Sequence, residues 1–483
     1  MFQNETLLVS LLPKLLTFSI DIMNLQDIFS QTKQEDIILK LKNKSLEVPS
    51  WSTLVQQYDS RLHDVCLKSK RPNKPRKGKK DDEVARIHLS LEKLVVKRMT
   101  EFMFAIPVKR TYSNFKEDDK DYQAIVKAIE AIYKKSRVNK ENIVRARELF
   151  ASCEVASFWY PIQDKNKYYG FESALKLRCK TYSPKNGYKL YPLFDEFDDL
   201  IAMSVEYQKS DGEKVHNYFD TWTKDKHCLW RDNILETDEA NTLGKIPYIY
   251  SYREEPIWEG VQHIVKELEW TLSRNSDVIA YNSAPVLQIV GEVKGAEDKG
   301  ETNRVYRVEN GGSVSYVSWM QSIEAIKFQI DTLLRLFWII LQLPDISLEN
   351  IKGLSAVSGE ARKTLLTDAH LKVGDEKDTF IEFFEREASI VKEYLKIMEP
   401  KWKDKIDDID IEHEITPFIQ NDEVAEIEKL IKANGGKALL SHLESIKSLG
   451  WSADPNQTLE DIRQDESLAA KNSLTTNLFS AAE

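Results

Sequence analysis

At 483 residues and 56.0 kDa the chain exceeds one compact core, and at roughly 150 residues per domain it implies about three units or one elongated, modular body. Its 30% charged, 42% hydrophobic and 10% aromatic residues exclude a disordered chain. A formal net charge of -10 excludes a general DNA coat, which would neutralise phosphates with an excess of Lys and Arg.

The N-terminal stretch from Thr6 to Met23 is apolar, but Pro13, Lys14 and Asp21 interrupt it and no basic region precedes it. It fits neither a signal peptide nor a membrane span. Met23 is itself a plausible start, which makes residues 1–22 a candidate extension of the native chain. Lys68 to Lys80, KSKRPNKPRKGKK, holds eight Lys/Arg and no acid. Proline and like-charge repulsion predict an exposed, flexible loop, and its charge makes phosphate a conceivable contact. Ile87, Leu91, Leu94, Val95, Arg98 and Phe102 recur at helical spacing, which predicts a helix from Asp81 to Phe104. A second helical stretch covers Asp121 to Phe150.

From Ser157 to Arg253 the pattern changes to aromatic-rich alternation with turns, and Asp211-Gly212 is a hairpin signal. An antiparallel sheet is expected there, making an α+β lobe with the helices before it. Val261, Ile264, Val265, Leu268, Leu272 and Ile279 then predict a helix over Trp258 to Asn282, ended by Pro285. A β-rich insertion of about 35 residues follows: a strand at Val286 to Val290, a glycine-rich turn segment (Gly291, Gly295, Gly300), Val305 to Val308, and Val314 to Trp319. Next, Ile323, Ile326, Ile330, Leu333, Phe337 and Ile340 form an a/d seam, so one narrow face should pack on another helix.

Pro344 ends that helix and opens a polar loop, PDISLENIKGLSAVS, over 344–358. Helical pattern resumes from Gly359 to Met398, with Gly374 as the candidate kink. A strand over Ile406 to Ile415 is followed by helices near Asp422 to Ala433, Ala438 to Leu449 and Leu459 to Leu468. The remaining tail, KNSLTTNLFSAAE, carries no core pattern and reads as mobile.

Enzymatic chemistry finds little support. Asn434-Gly-Gly-Lys-Ala lacks the leading glycine and the Ser/Thr of a phosphate loop. Asp408, Asp410, Glu412 and Glu414 would share one face of a strand, with Ile409, Ile411 and Ile415 on the other. Such carboxylates could hold a divalent metal for phosphodiester cleavage, yet a strand with a wet acidic face explains every residue. His227, beside Cys228, has no ligand partners in sequence. Cys66, Cys153, Cys179 and Cys228 are far apart and read as free, mostly buried thiols. No cofactor and no metal site are expected.

The order of elements is informative: an α+β lobe, a helix, a β insertion, a return helix, a polar loop, a long helix and a helical tail. It resembles the portal (head-to-tail connector) proteins of tailed bacteriophages. The stretches that carry the likeness are ARIHLSLEKLVVKRMTEFMFAIPV, GKIPYIYSYREEPIWEGVQHIVKELEWTLSRNSDVIAYNSAPVLQIVG, LPDISLENIKGLSAVSGEARKTLL with Ser358-Gly359-Glu360-Ala361, and GGKALLSHLESIKSLGWSADPNQTLEDIRQDE. Together they span about residues 80–470.

The resemblance implies an α+β, elongated, multi-domain portal-type subunit. Residues 1–255 would form the N-terminal region and wing, 256–284 the first stem helix, 285–320 the clip and 321–343 the second stem helix. A tunnel loop would occupy 344–358, a long kinked helix and return wing strand 359–415, and a helical crown with a mobile tail 416–483. It implies a homo-oligomeric ring, usually of twelve subunits, at one capsid vertex of the virion, assembled in the host cytoplasm. Double-stranded DNA would pass through during packaging and ejection. The clip would dock the terminase large subunit and then the head-completion adaptor, and the ring would meet the major capsid and scaffolding proteins, with no membrane partner.

On this reading Ser347, Glu349, Asn350, Lys352 and Ser355 face DNA from the tunnel loop, with Asn350, Lys352 and Ser355 as candidate phosphate contacts. Lys294, Lys299, Arg304 and Arg307 are the candidate partner-binding residues of the clip. Two alternatives are a metal-dependent DNA-processing enzyme built on the 408–414 carboxylates and another structural virion protein. Residues 401–483 hold nine Lys/Arg against seventeen Asp/Glu, -8 of the chain's -10. An acidic crown and a near-neutral loop would guide phosphates loosely rather than bind them.

Overall fold

The computed structural model describes residues 25–44, 46–78, 80–116, 118–282, 286–291, 293–298, 304–308, 313–317, 323–344, 366–418, 441–449, 452 and 455–480. The apolar stretch 6–23, the 344–358 loop beyond its first residue, the Ser358–Ala361 motif, the helix expected over 422–433 and the 434–438 glycine turn lie outside them. The chain divides into two compact units. One comprises 1–352 and 365–418, the other 353–364 and 419–483.

The first unit is α+β. Three short helices, α1 (Leu25–Phe29), α2 (Gln34–Leu41) and α3 (Trp51–Tyr58), precede α4 (Leu91–Phe104). The helix predicted from Asp81 thus begins ten residues later. Residues 84–90 form no helix, and their alternate amides, at 85, 87 and 89, bond side chains of a later helix, described below. The second predicted helix is two: α5 (Lys120–Lys135) and α6 (Val138–Ser152), separated where Arg137 adopts φ 57°. Asp119 caps α5 through the amide of Asp121, and Cys153, in left-handed conformation, ends α6.

Between α4 and α5 lies β1 (Lys109–Ser113). The aromatic block then forms β2 (Glu154–Asn166), β3 (Ser173–Tyr182), β4 (Lys189–Phe194), β5 (Leu200–Ser210), β6 (Val215–Thr223), β7 (Lys226–Arg231), β8 (Ile234–Ala240) and β9 (Tyr248–Tyr252). All are antiparallel, as the alternation predicts. Among the described residues they form a sheet ordered β3-β2-β9 and a meander ordered β4-β5-β6-β7-β8. The Asp211-Gly212 hairpin forms between β5 and β6, with Gly212 at φ 99°. Asp232 and Asn233, at φ 50° and 67°, make the two-residue turn from β7 to β8; positive φ at both positions matches the right-handed strand twist.

Helix α7 (Gln262–Asn282) starts after Gly260, whose φ of 84° closes off the earlier start predicted at Trp258. The insertion holds β10 (Val286–Val290), β11 (Val293–Asp298), β12 (Arg304–Val308) and β13 (Ser313–Val317). β10 pairs with β13, and β11 with β12. The expected glycine-rich turn is therefore partly a strand, with Gly295 at a register shift where a bulge removes side-chain demands. The return helix α8 spans Ile323–Leu341. Helix α9 (Thr367–Met398) runs unbroken through Gly374, where a kink was expected. A short α10 (Lys403–Ile406) leads to β14 (Asp410–Glu414), which pairs antiparallel with β1.

The main core joins α4, α5, α6, α9 and the ends of α7 and α8 nearest them, through Phe104, Phe150, Trp258, Phe337, Phe380 and Phe384. Each such ring removes about 2–3 kcal/mol worth of apolar surface from water. A smaller core seats α1 and α2 on the meander through Ile28, Ile38, Phe219 and Trp230.

In the second unit the described elements are α11 (His442–Leu449) and α12 (Pro455–Ser480). The short helix predicted over 459–468 therefore extends through most of the tail read as mobile. Ser441 caps α11 by a reciprocal pair, its hydroxyl accepting from the Glu444 amide and the Glu444 carboxylate accepting from the Ser441 amide.

Candidate channel and docking site

The two helices around the β insertion, α7 and α8, are the elements on which a channel wall could be built. α7 buries Val265 and Leu268, with Val261 buried just before it, while Ile279 at the far end of the predicted stripe is exposed; it also buries Glu269 and Ser273. These polar residues have a definite task. With Asp277 they recur at i, i+4 and i+8, and each accepts a backbone amide from alternate residues of the extended segment before α4. The Leu89 amide donates to Glu269 Oε1 at 2.7 Å, the Ile87 amide to Ser273 Oγ at 2.9 Å and the Ala85 amide to Asp277 Oδ1 at 2.7 Å. A four-residue helical step is about 6 Å and a two-residue strand step slightly more, so the ladders run together. This strap holds residues 84–90 against α7.

Two cations close the ends of the ladder. Buried His63 bonds Glu269 Oε1 through Nδ1 at 2.7 Å and the Gln57 carbonyl through Nε2 at 2.6 Å. Both partners accept, so the ring carries both protons as an imidazolium. Burial alone would lower its pKa, but these bonds and the charges of Glu269 and Glu92 raise it to about 9. Burial pushes the Glu92 carboxyl up to about 7. At the other end Arg71 donates to Asp277 Oδ2 at 2.7 Å and to the Ala85 carbonyl at 2.9 Å. The loop 68–80 is exposed as predicted, yet it is pinned at Arg71 and at a bridge between Lys74 and Asp82.

α8 buries its seam toward the main core: Ile326, Ile330 and Leu333 are half-buried and Phe337 fully buried, while Ile340 is exposed. Its opposite face is polar, with Glu324, Asp331 and Arg335, but it carries two large apolar side chains in the open, Phe328 73% and Ile339 61% exposed. The helix ends in a Schellman turn: Gln342 takes φ 54°, the Leu343 amide reaches the Trp338 carbonyl and Leu343 is buried. Arg98 fixes the point where the polar loop departs, donating to the Pro344 carbonyl at 2.8 Å with its guanidinium 4.5 Å from the Trp338 ring centre.

The candidate DNA-facing residues Ser347, Glu349, Asn350, Lys352 and Ser355 lie outside the described residues, as does Lys299. The other three clip candidates fall on one hairpin. Lys294 is at the β11 register shift, Arg304 is opposite Asp298, and Arg307 is opposite Gly295.

The acidic strand has the predicted wet face at Asp410, Glu412 and Glu414, while buried His413 lies between Ile411 and Ile415 on the other side. Its carboxylates are engaged separately. Tyr122 donates to Asp408 at 2.6 Å, Lys109 to Glu414 at 3.0 Å, and Asn114 bonds Asp410. Among the described residues no three His, Cys, Asp or Glu side chains converge to hold a metal ion, and none of the described helices is long and apolar enough to cross a membrane. His227 is satisfied by Asp220 and Glu239 and stacks on Trp222. All four cysteines are free; Cys153 and Cys228 are buried, and Cys66 and Cys179 are partly buried.

Two helices bracketing an antiparallel insertion, tied to an α+β body, are the arrangement on which the resemblance rests. The sequence model of the family described as "Phage portal protein, SPP1 Gp6-like" matches residues 39–472. The chain belongs to the phage portal protein family. Portal proteins are structural components, and the α+β fold agrees with that membership. No curated protein gives a significant match. Similar solved structures include a chain of the neck of an empty GTA particle, computed with C6 symmetry, at 12% identity, covering 74% of this chain and 89% of that one with a TM-score of 0.39. A chain of the virion of a native gene transfer agent (GTA) particle is 11% identical and covers 86% and 98% at a TM-score of 0.40. One from the neck of a native GTA particle, computed with C12 symmetry, is 10% identical with the same coverage and TM-score. These likenesses are distant, and portal membership rests on the family match.

Proposed function

We propose that this portal protein assembles into a closed ring at one capsid vertex of a phage-like virion, twelve copies by the family resemblance. Double-stranded DNA passes through that ring during packaging and ejection. The domain scheme given above for wing, stem, clip, tunnel loop and crown belongs to the same proposal, with α7 and α8 as stem helices and β10–β13 as the clip. The clip hairpin that carries Lys294, Arg304 and Arg307, with Lys299 in its connection, docks the terminase large subunit and then a head-completion adaptor. Ser347, Glu349, Asn350, Lys352 and Ser355 meet DNA from the loop after α8. Capsid and scaffolding proteins surround the ring, which assembles in the host cytoplasm, and the subunit turns over neither nucleotide nor DNA.

The observation that carries the ring is the pair of large apolar side chains, Phe328 and Ile339, that α8 leaves exposed opposite its buried seam. Exposed Phe and Ile beside charged side chains match an interface with an apolar centre and a polar rim, and within the described subunit nothing covers them. A cyclic assembly covers them through a heterologous interface. Purified protein should therefore sediment at about 670 kDa, twelve times 56.0 kDa, and negative-stain images should contain rings with a central hole. Monomers alone across salt, pH and concentration would sink the proposal.

A further inference from the structure

We infer that the pinned basic loop, through Lys68, Lys70, Lys74 and Lys77, is a binding site for the phosphate backbone of duplex DNA, separate from the loop after α8. The chain carries a net charge of -10, yet residues 68–80 hold eight cations and no acid. The structure sorts seven of them into two groups, Lys79 lying outside the described residues. Arg71 is spent on Asp277, Arg76 pairs with Asp82 at 3.0 Å and Lys80 with Glu83 at 3.4 Å. Lys68, Lys70, Lys74 and Lys77 are exposed and have no ion-pair partner among the described residues.

The paired group builds the platform and the unpaired group is displayed on it. Arg71 is buried and reaches both the strap and α7, and Lys74 exchanges two backbone hydrogen bonds with Asp82, at 3.0 and 2.9 Å. The loop therefore enters binding with its backbone largely fixed, and the ordering entropy that weakens attachment by a free tail is already spent. A freely moving solvated loop would have no use for these anchors.

Composition selects the partner. Protein interfaces have an apolar centre and are depleted in Lys. From residue 68 to 80 the only apolar side chains are Pro72 and Pro75. Lysines without aromatic or aliphatic anchors match a partner that offers repeating charge and little else, which is the backbone of duplex DNA. Recognition of this kind carries no sequence information.

The test uses the full-length protein and a fluorescent 30-bp duplex, with affinity followed by anisotropy across salt concentration. Replacing Lys68, Lys70, Lys74 and Lys77 by Ala should weaken binding at least tenfold at low salt and flatten the log–log salt dependence by about 3.6, near 0.9 for each lost contact. A control replaces Lys120, Lys127, Lys134 and Lys140, exposed lysines of α5 and α6, by Ala. It makes the same change in net charge and should bind like the unaltered protein. Equal weakening in both variants, or no change in the first, overturns the assignment. So does unaltered protein binding a polyglutamate of matched charge as tightly as the duplex, which would mark the loop as a patch for an acidic protein. Both variants are imaged alongside, so failure to form rings registers against the ring proposal while DNA affinity is still read on the subunit.

Discussion

The least expected residues are the polar ones at the centre of the core. Arg145 and Glu387 are fully buried and bond at 2.9 Å, and the same carboxylate oxygen accepts the Trp159 indole N–H at 3.1 Å. Removing one partner strands a charge away from water, so Glu387→Ala should cost about 3–5 kcal/mol, read as a lowered denaturation midpoint of the subunit. Arg145→Met combined with Glu387→Leu should cost less than Glu387→Ala, since neither charge is then orphaned. His63 gives a pH signature. Its folded pKa of about 9 lies above the ordinary value of 6.5, so its contribution is complete below about pH 6.5 and is lost as pH rises through 9. The melting temperature should fall between pH 7 and pH 10, and His63→Gln should flatten that fall. An unchanged slope would show that the imidazolium is not the titrating group.

At the scale of elements, α8 decides how a subunit meets its neighbour. Phe328 and Ile339 project on the side opposite the seam that contains Ile330 and Phe337. Phe328→Glu with Ile339→Glu should leave circular dichroism and monomer stability within about 0.5 kcal/mol of the original, because both side chains are solvated already. Ring assembly should be lost, as judged by sedimentation. Persistence of rings in this variant would mean the subunits join through other surfaces. Hydrophobic spacing was sufficient to read α7, α8 and the antiparallel block, where one face is apolar and packing follows it. It failed over residues 84–90, because Ile87 falls in phase with a helix while its amide is claimed by Ser273. The trace of that claim is present in sequence as Glu269, Ser273 and Asp277 at four-residue spacing, polar positions that an apolar count passes over. The break between α5 and α6 was hidden for another reason: it depends on one left-handed residue, Arg137, of a type that rarely adopts that conformation.

For the molecule as a whole, element order carried more than any motif. The four stretches that resemble portals are individually soft, yet the family match spans 39–472 and includes all of them. The candidate site was less legible. Its loop residues were chosen for polarity and position, which are properties of most surface loops. The pinned lysines of 68–80 were visible as charge, but their division into anchors and free cations depends on Asp277, some two hundred residues away. The uneven charge distribution acquires a second meaning alongside that division. Residues 401–483 carry most of the net negative charge, and the largest basic run lies far from them in sequence.

The ladder between α7 and residues 84–90 limits its own length. Helical rungs recur every 6.0 Å or so and strand rungs every 6.6 Å, so registry slips by about 0.6 Å per rung, like the two scales of a vernier. Across the three rungs from Glu269 to Asp277 the slip is about 1.2 Å, which the differing reach of Glu, Ser and Asp can absorb. A fourth rung would add about as much again as each before it, and at that position stands Tyr281, 83% exposed, with no carboxylate to offer. The strap thus stops where the two periods part, and the chain on its far side is released into the turn that displays the lysines.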